Sequence, residues 1–397
     1  MAPGRANVPH DAAHANVPAP PPCVVWCGAV KARVGTQRRF LLPRLPLERV
    51  HVEVTSLCNF ACEFCPNPRL ERPGGMMDFQ LLQAVLEEIA ATGVTRRVVF
   101  HQQGEPLLYP RLAEAVAHAS ALGLESCVTT NGALLDTRRV DELVGAGLSH
   151  LVVSLQTPDE ASFALRGVRN LSYAEFETRI VAAVRRILTT PTATQVSVAF
   201  LTKPLPRLTL PVFGGEWQLV QHNRQLRRLL ERWALLLVEG IGGAPDRAAV
   251  VRAVRRTGVL HRNEVRLHPR LLLESRPVGQ WPMPERDWGR PWLPARWGYC
   301  HGISEHFAIL WNGDYTFCCA DHNGRTSTAN FQEVSLLDYL DSQPVQAALA
   351  GFARLRPVHP YCQLCLGGPH PMIVAIKSLG SIVYFKVVNR LRRATRV

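Results

Sequence analysis

The sequence predicts an α/β fold, a parallel sheet closed or partly closed into a barrel or else doubly wound, followed by a smaller module. Three observations point there. Six short β-branched runs recur between residues 49 and 268 of the 397-residue chain. Amphipathic stretches lie between them, and several runs end in glycine and polar residues, where parallel α/β folds place their chemistry. At 47% hydrophobic residues the chain can bury one sizeable core and a smaller one, so two folded units are expected.

Taken in order, residues 1–45 are a basic, Pro-rich extension opening "MAPGRANVPHDAAHANVPAPPP". The strand candidates are "RVHVEV" (49–54), "RRVVF" (96–100), "ESCVTT" (125–130), "HLVVSL" (150–155), "QVSVAF" (195–200) and "EVRLH" (264–268). In "DFQLLQAVLEEIAATG" Asp78 is placed to cap the first free N–H groups of a helix. Leu81, Leu82, Val85 and Ile89 share one face, and Gly93 closes it. "YPRLAEAVAHASALG" and "LDTRRVDELVGAG" repeat the plan. Residues 46–275 form the main domain, in which 201–263 reads as a helical, Arg-rich insertion or an extended final crossover. Residues 276–299, "RPVGQWPMPERDWGRPWLPARWGY", are a Pro/Trp-rich linker with bulky anchors. The second module spans 300–397, and its "HFAILWNGDYTFCCADHNG" is a hairpin turning at Asn312-Gly313-Asp314.

The net charge of +13 is concentrated in the extension, in residues 221–262 and in residues 377–397. That pattern suits an anionic partner, but no nucleic-acid motif accompanies it, and an Arg-rich solvated surface accounts for it equally. The basic stretch "YFKVVNRLRRATRV" is short for a helix lying on an anionic membrane and is expected to be a solvated helix. The N-terminus lacks a signal peptide's apolar run, and the longest apolar run noted is "WALLLV" (233–238), so a soluble, cytoplasmic protein with reduced thiols is expected.

The chemistry starts at "TSLCNFACEFCPNP", which holds Cys58, Cys62 and Cys65 in the spacing C-x3-C-x2-C immediately after the first strand. Thiolates this close suit a soft metal: zinc, an electron-transfer cluster, or a cluster with one iron open to a small molecule. Zinc and electron-transfer sites normally use four ligands. The next strands end in "HQQGEP", "TTNGALL" and "SLQTPDEASFALRG", delivering Gly104, Glu105, Asn131, Ser154, Gln156 and Arg166 to the same end of the sheet.

These motifs resemble the radical S-adenosylmethionine (radical SAM) superfamily, whose signature is C-x3-C-x-aromatic-C after the first strand of a partial (β/α)6 TIM-like barrel. The resemblance implies that Cys58, Cys62 and Cys65 hold a [4Fe-4S] cluster whose fourth iron is chelated by S-adenosylmethionine. Phe64 would lie against the adenine. "QGEP" resembles the family's GGE motif with Gln103 in place of a glycine, so Glu105 would take the methionyl ammonium. Gly104 and Asn131 would line the cofactor, Ser154 and Gln156 match the ribose or carboxylate position, and Arg166 is either a carboxylate partner or a surface arginine. The usual adenine motif after the fifth strand is not recognisable in "SVAFLTK".

Cys300, Gly313, Cys318, Cys362 and Cys365 follow the order C-x12-G-x4-C, a gap, then C-x2-C. This resembles the twitch module, a shortened SPASM domain of α+β type with one auxiliary [4Fe-4S] cluster. Cys319 is the competing ligand for Cys318, and a four-cysteine zinc is the alternative metal. Cys23, Cys27 and Cys127 are expected to be spare thiols. Full thiolate ligation implies an electron acceptor or donor. The expected function is therefore oxidation of a small polar metabolite such as a sugar or cyclitol, with flavodoxin or ferredoxin as reductant. The alternatives are a maturase for a ribosomal peptide or protein, and a non-catalytic iron-sulfur scaffold or electron-transfer protein. The general base and the hydrogen removed are not named by the sequence.

Overall fold

The computed structural model describes residues 43, 45–203, 219–278, 292–318 and 320–388. Nearly all of the N-terminal extension with Cys23 and Cys27, much of the linker, Cys319 and the tail beyond 388 lie outside the described residues. Strand β1 (Arg49–Val52) leads through the cysteine loop to α1 (Phe79–Thr92), then β2 (Arg97–Val99), α2 (Leu112–Ala121), β3 (Glu125–Thr130), α3 (Thr137–Gly145) and β4 (His150–Gln156). Next come α4 (Glu160–Phe163), α5 (Tyr173–Thr189), β5 (Gln195–Thr202), α6 (Asn223–Val238), α7 (Arg247–Val254), β6 (Asn263–His268) and β7 (Leu271–Pro277). The C-terminal part holds α8 (Gly302–Glu305), β8 (His306–Ile309), β9 (Tyr315–Thr316), α9 (Leu336–Asp341), α10 (Gln343–Ala353), α11 (Pro360–Leu366) and α12 (Pro371–Val383).

The nine strands of the described residues make one open sheet, ordered β6-β7-β5-β4-β3-β2-β1-β8-β9. The six expected parallel strands are present, as β1 to β5 and β7, but the sixth is displaced from its expected place. "EVRLH" forms β6, an antiparallel edge, and the strand that pairs parallel with β5 is Leu271–Pro277. Pro269 and Arg270 make a tight connection between them, and Leu271 and Leu273 carry the buried positions that the crossover needs. Strand β8 pairs parallel with β1, so the hairpin of the C-terminal part extends the same sheet. That hairpin turns where expected, with Gly313 at φ +92°; a Cβ there would meet Asn330 Oδ1 at 2.8 Å.

Helix α1 behaves as its sequence demands. Asp78 accepts from the Gln80 and Leu81 amides at 2.9 and 3.2 Å, and Gly93 closes the helix in the left-handed region at φ +62°. Such a cap contributes about 1 kcal/mol. Residues 219–263 are the crossover from β5 to the final hairpin. Helix α6 buries Leu226, Leu229, Leu230, Trp233 and Leu237, spaced three and four apart, while the Trp233 indole donates to the Pro158 carbonyl at 2.8 Å. The arginines face outward.

One helix begins well before Tyr384, where the sequence reading expected it to start. From Pro371 through Val388 the chain makes an 18-residue helix of mean hydropathy 1.5, long and apolar enough by length and composition to cross a membrane. Its alanine, serine, glycine and lysine residues break up the apolar run, which hid it beside the more conspicuous "WALLLV". That stretch is core, with Trp233, Ala234 and Leu237 buried.

Candidate functional site

The site forms where the segment after β1 folds over the C-terminal end of the sheet. Glu53, fully buried at the end of β1, anchors that fold. Its carboxylate accepts from the Arg72 guanidinium at 2.5 Å, the Gln103 amide at 3.1 Å and the Trp311 amide at 3.2 Å. Cys58, Cys62 and Cys65 follow as free thiols, Cys62 buried and the others partly so. Burial pushes Cys58 up to about 11 and Cys65 to about 12, and it raises Cys62 as well. Thiols this desolvated stay protonated unless a soft cation takes the thiolates, so the donor set fits a thiolate-bound metal group.

Two close backbone approaches hold the loop. Gly104 sits at φ +77°, and a Cβ there would run into the Thr55 carbonyl oxygen and stand 2.7 Å from that of Leu57. Gly167, at φ +57°, leaves only 2.6 Å between such a Cβ and the Ala61 carbonyl oxygen. Ladder-like bonds complete the seam, from the Ala61 amide to the Arg166 carbonyl at 3.1 Å and from the Glu63 amide to Leu165 at 2.9 Å.

Glu105 lies between the loop and β3. Its amide donates to the Leu57 carbonyl at 2.8 Å. Its carboxylate accepts from the Leu107 amide at 3.1 Å, the Thr130 hydroxyl at 2.6 Å and the Asn131 amide at 2.6 Å. Burial raises its pKa against these bonds. Asn131 also extends its side-chain amide to Asn59 at 2.8 Å and toward the Cys58 sulfur at 3.9 Å.

Arg166 is 1% exposed, a pocket residue and not a surface one. It donates to the Ser154 carbonyl at 3.2 Å, the Gln156 amide oxygen at 2.9 Å and the Asn131 carbonyl at 3.3 Å, and it lies 4.7 Å over the Phe60 ring. Its Nε has no acceptor among the described residues. A buried guanidinium N–H left over in this way is suited to an anionic group such as a carboxylate. Gln156 holds φ +54° where the β4–β5 register slips, a strained conformation for a side chain with a Cβ.

The structure thus gathers Cys58, Gly104, Glu105, Asn131, Ser154, Gln156 and Arg166 into one bonded group, with Cys62 and Cys65 on the loop it supports. Phe64 is buried at 3% exposure within the core, and the ring facing Arg166 is Phe60. Phe60, Thr130 and Glu53 were missed. Only Glu53 carried a signal, as a lone acid inside a β-branched run.

In the second set, the Gly302 amide donates to the Cys300 sulfur at 3.3 Å and the Ala320 amide to Cys318 at 3.2 Å. Burial pushes the Cys362 thiol up, and the charges of Cys365 and Cys300 add to the shift. Tyr361 ties α11 to the Cys318 loop through its hydroxyl, 2.9 Å from the Ala320 carbonyl. Lys377 donates to the Cys365 and Gly367 carbonyls at 2.9 and 2.6 Å. The two sets are linked by Gln102, whose amide reaches the Cys318 carbonyl at 3.4 Å. Among the described residues, no three His, Cys, Asp or Glu side chains are placed to hold a single metal ion. Cys127 is buried on β3 as a core thiol.

Two family models match this chain. The radical SAM superfamily covers residues 52–193, and an iron-sulfur cluster-binding domain, SPASM, covers 300–366, from Cys300 to just past Cys365. A PqqA peptide cyclase of Gluconobacter oxydans is 39% identical over 121 residues, 30% of this chain and 33% of that protein. A GTP 3',8-cyclase of Chlorobaculum tepidum is 33% identical over 169 residues, 42% of this chain and 49% of that protein. The chain therefore spans between a third and a half of these relatives' length. The crystal structure of Streptococcus suis SuiB bound to S-adenosylmethionine shares the fold, with TM-score 0.50 and 17% identity over 77% of this chain and 68% of that one.

Proposed function

Because this chain belongs to the radical SAM superfamily and carries a SPASM-type iron-sulfur domain, we propose that it is an enzyme that modifies a peptide through hydrogen-atom abstraction. When bound, the two [4Fe-4S] clusters and S-adenosylmethionine supply an electron and a 5'-deoxyadenosyl radical that takes hydrogen from the substrate. Cys58, Cys62 and Cys65 would hold the first cluster, and Cys300, Cys318, Cys362 and Cys365 the auxiliary one. Arg166, fixed by Ser154, Gln156 and Asn131, would orient the cofactor carboxylate through its spare N–H. Glu105 holds the Asn131 segment against the cysteine loop and keeps water from the buried end of the pocket.

The peptide reading rests on one observation: a stretch of 121 to 130 residues of this chain matches PqqA peptide cyclases at 35 to 39% identity. Metabolite oxidation, the reading preferred from sequence, has weaker support, since no relative named above is an oxidase or dehydrogenase of a small metabolite. The crossover adds a physical reason. Arg224, Arg228, Arg252, Arg255 and Arg256 are exposed on α6, α7 and the turn after it, a surface suited to an acidic peptide segment.

The reconstituted protein with dithionite and S-adenosylmethionine is expected to release 5'-deoxyadenosine. No release with all three loop cysteines intact ends the enzymatic reading. A fluorescent Glu-rich peptide is expected to bind more tightly than its Gln-rich counterpart, and to lose that preference when the five arginines become glutamate. Equal binding of the two peptides to the native protein would count against a peptide substrate.

A further inference from the structure

The helix Pro371–Val388 is inside out. Its outward face carries Met372, Ile376, Leu379, Val383, Tyr384 and Val387, with Ile376 63% and Leu379 57% exposed. No charged residue is among its exposed positions. The inward face carries the polar groups, alongside half-buried Val374, Ile382 and Phe385. Ser378 is fully buried, Ser381 accepts from the Tyr299 amide at 3.0 Å, and Lys377 is bonded to the carbonyls of Cys365 and Gly367. The Phe385 ring adds a contact 4.2 Å from His301. An ordinary surface helix of a globular protein has the reverse arrangement.

The inward contacts decide how such a helix could meet a lipid phase. Lys377 and Ser381 hold one face against the body beside Cys365 and Tyr299, so the helix lies along it with its outward face free. That is the geometry of an interfacial helix and not of a span. Charge decides the kind of surface. From Lys377 to residue 397 the sequence has six basic and no acidic residues, four of them Arg390, Arg392, Arg393 and Arg396 directly after the helix. A second copy carries the same excess of positive charge in this stretch, which opposes its docking. Anionic headgroups are attracted, each arginine near the surface adding about fivefold to partitioning.

We propose that the helix Pro371–Val388 seats the protein on an anionic lipid surface, its apolar face among the headgroups. This inference is independent of the substrate.

The test is vesicle flotation of the full, cluster-loaded chain with phosphatidylcholine alone and with phosphatidylcholine–phosphatidylglycerol mixtures. The protein is expected to float with the mixed vesicles, at least tenfold less with the neutral ones, and less as salt rises. Ile376→Gln with Leu379→Gln should reduce flotation more than tenfold at unchanged iron content. A second variant, with Arg390, Arg392, Arg393 and Arg396 changed to Gln, should bring mixed-vesicle binding down to the neutral level. Three results would overturn the proposal: no flotation with either vesicle, flotation indifferent to both variants, or a native dimer that the Ile376/Leu379 variant turns into a monomer.

Discussion

Gly104 and Glu105 show how much of the site depends on single atoms. Alanine at 104 would need a Cβ inside the Thr55–Leu57 backbone and a left-handed φ, so Gly104→Ala must displace the loop that carries Cys58. Strain of this kind costs about 1–3 kcal/mol. The variant should keep the auxiliary iron, lose the loop's share and release no 5'-deoxyadenosine, all readable by iron counting and product assay. Glu105→Gln is subtler. Every group facing the carboxylate is a donor, two of them fixed backbone amides of Leu107 and Asn131. Whichever way the amide turns, its NH2 confronts one of them, at a cost of about 1–3 kcal/mol. A lower urea midpoint with an unchanged slope is expected. Residue types and spacing made these positions visible in the sequence, but their partners were not. Nothing in "HQQGEP" says that the glutamate is satisfied by Thr130 and Asn131, because those contacts exist only once β2 and β3 lie side by side.

At the scale of elements, sequence patterns were legible wherever one face is buried and a cap closes the end, as in α1 with Asp78 and Gly93. The reading failed where two strands adjoin. "EVRLHPRLLLESRP" alternates cleanly in its first half and runs apolar in its second, and only the pairing with β5 distinguishes edge from parallel neighbour. The inside-out helix defeated the reading for the opposite reason, since its apolar face is not core. His150, at the start of β4, provides an element-level test. Its Nε2 lies 2.9 Å from the Ser197 hydroxyl on β5, and burial holds its pKa below the usual 6.5. The unfolded chain therefore takes up a proton first, so this residue's contribution is intact above about pH 6.5 and is lost as pH falls below it, by about 1.4 kcal/mol per unit until the folded value is reached. Unfolding free energies of native protein and His150→Gln, compared at about pH 7.5 and pH 5.5, should diverge less at the lower pH.

For the whole molecule, the question is what makes one structure of the parallel sheet and the C-terminal module. Strand β8 joins them through backbone pairing with β1, and Glu53 joins them through side chains. One carboxylate takes Arg72 and Gln103 on the side of the first site and Trp311 in the hairpin turn, while the Arg72 Nε donates to the His322 carbonyl at 2.7 Å near the second. Removing Glu53 would leave a nearly buried guanidinium without its counter-charge, which costs about 3–5 kcal/mol. Arg72→Met removes both charge and donor, so the double variant Glu53→Gln/Arg72→Met should be destabilised by less than the sum of the two single changes. Iron retention separates this coupling from simple loss of stability. Cys58→Ala should lose about half of the iron, the four atoms of one [4Fe-4S] cluster of the two. Glu53→Ala, with all seven cysteines proposed as ligands intact, should release iron from both sites along a single time course under a chelator. Two separate rates, one matching the native protein, would mean that Glu53 serves the first site alone and that β8 by itself holds the molecule together.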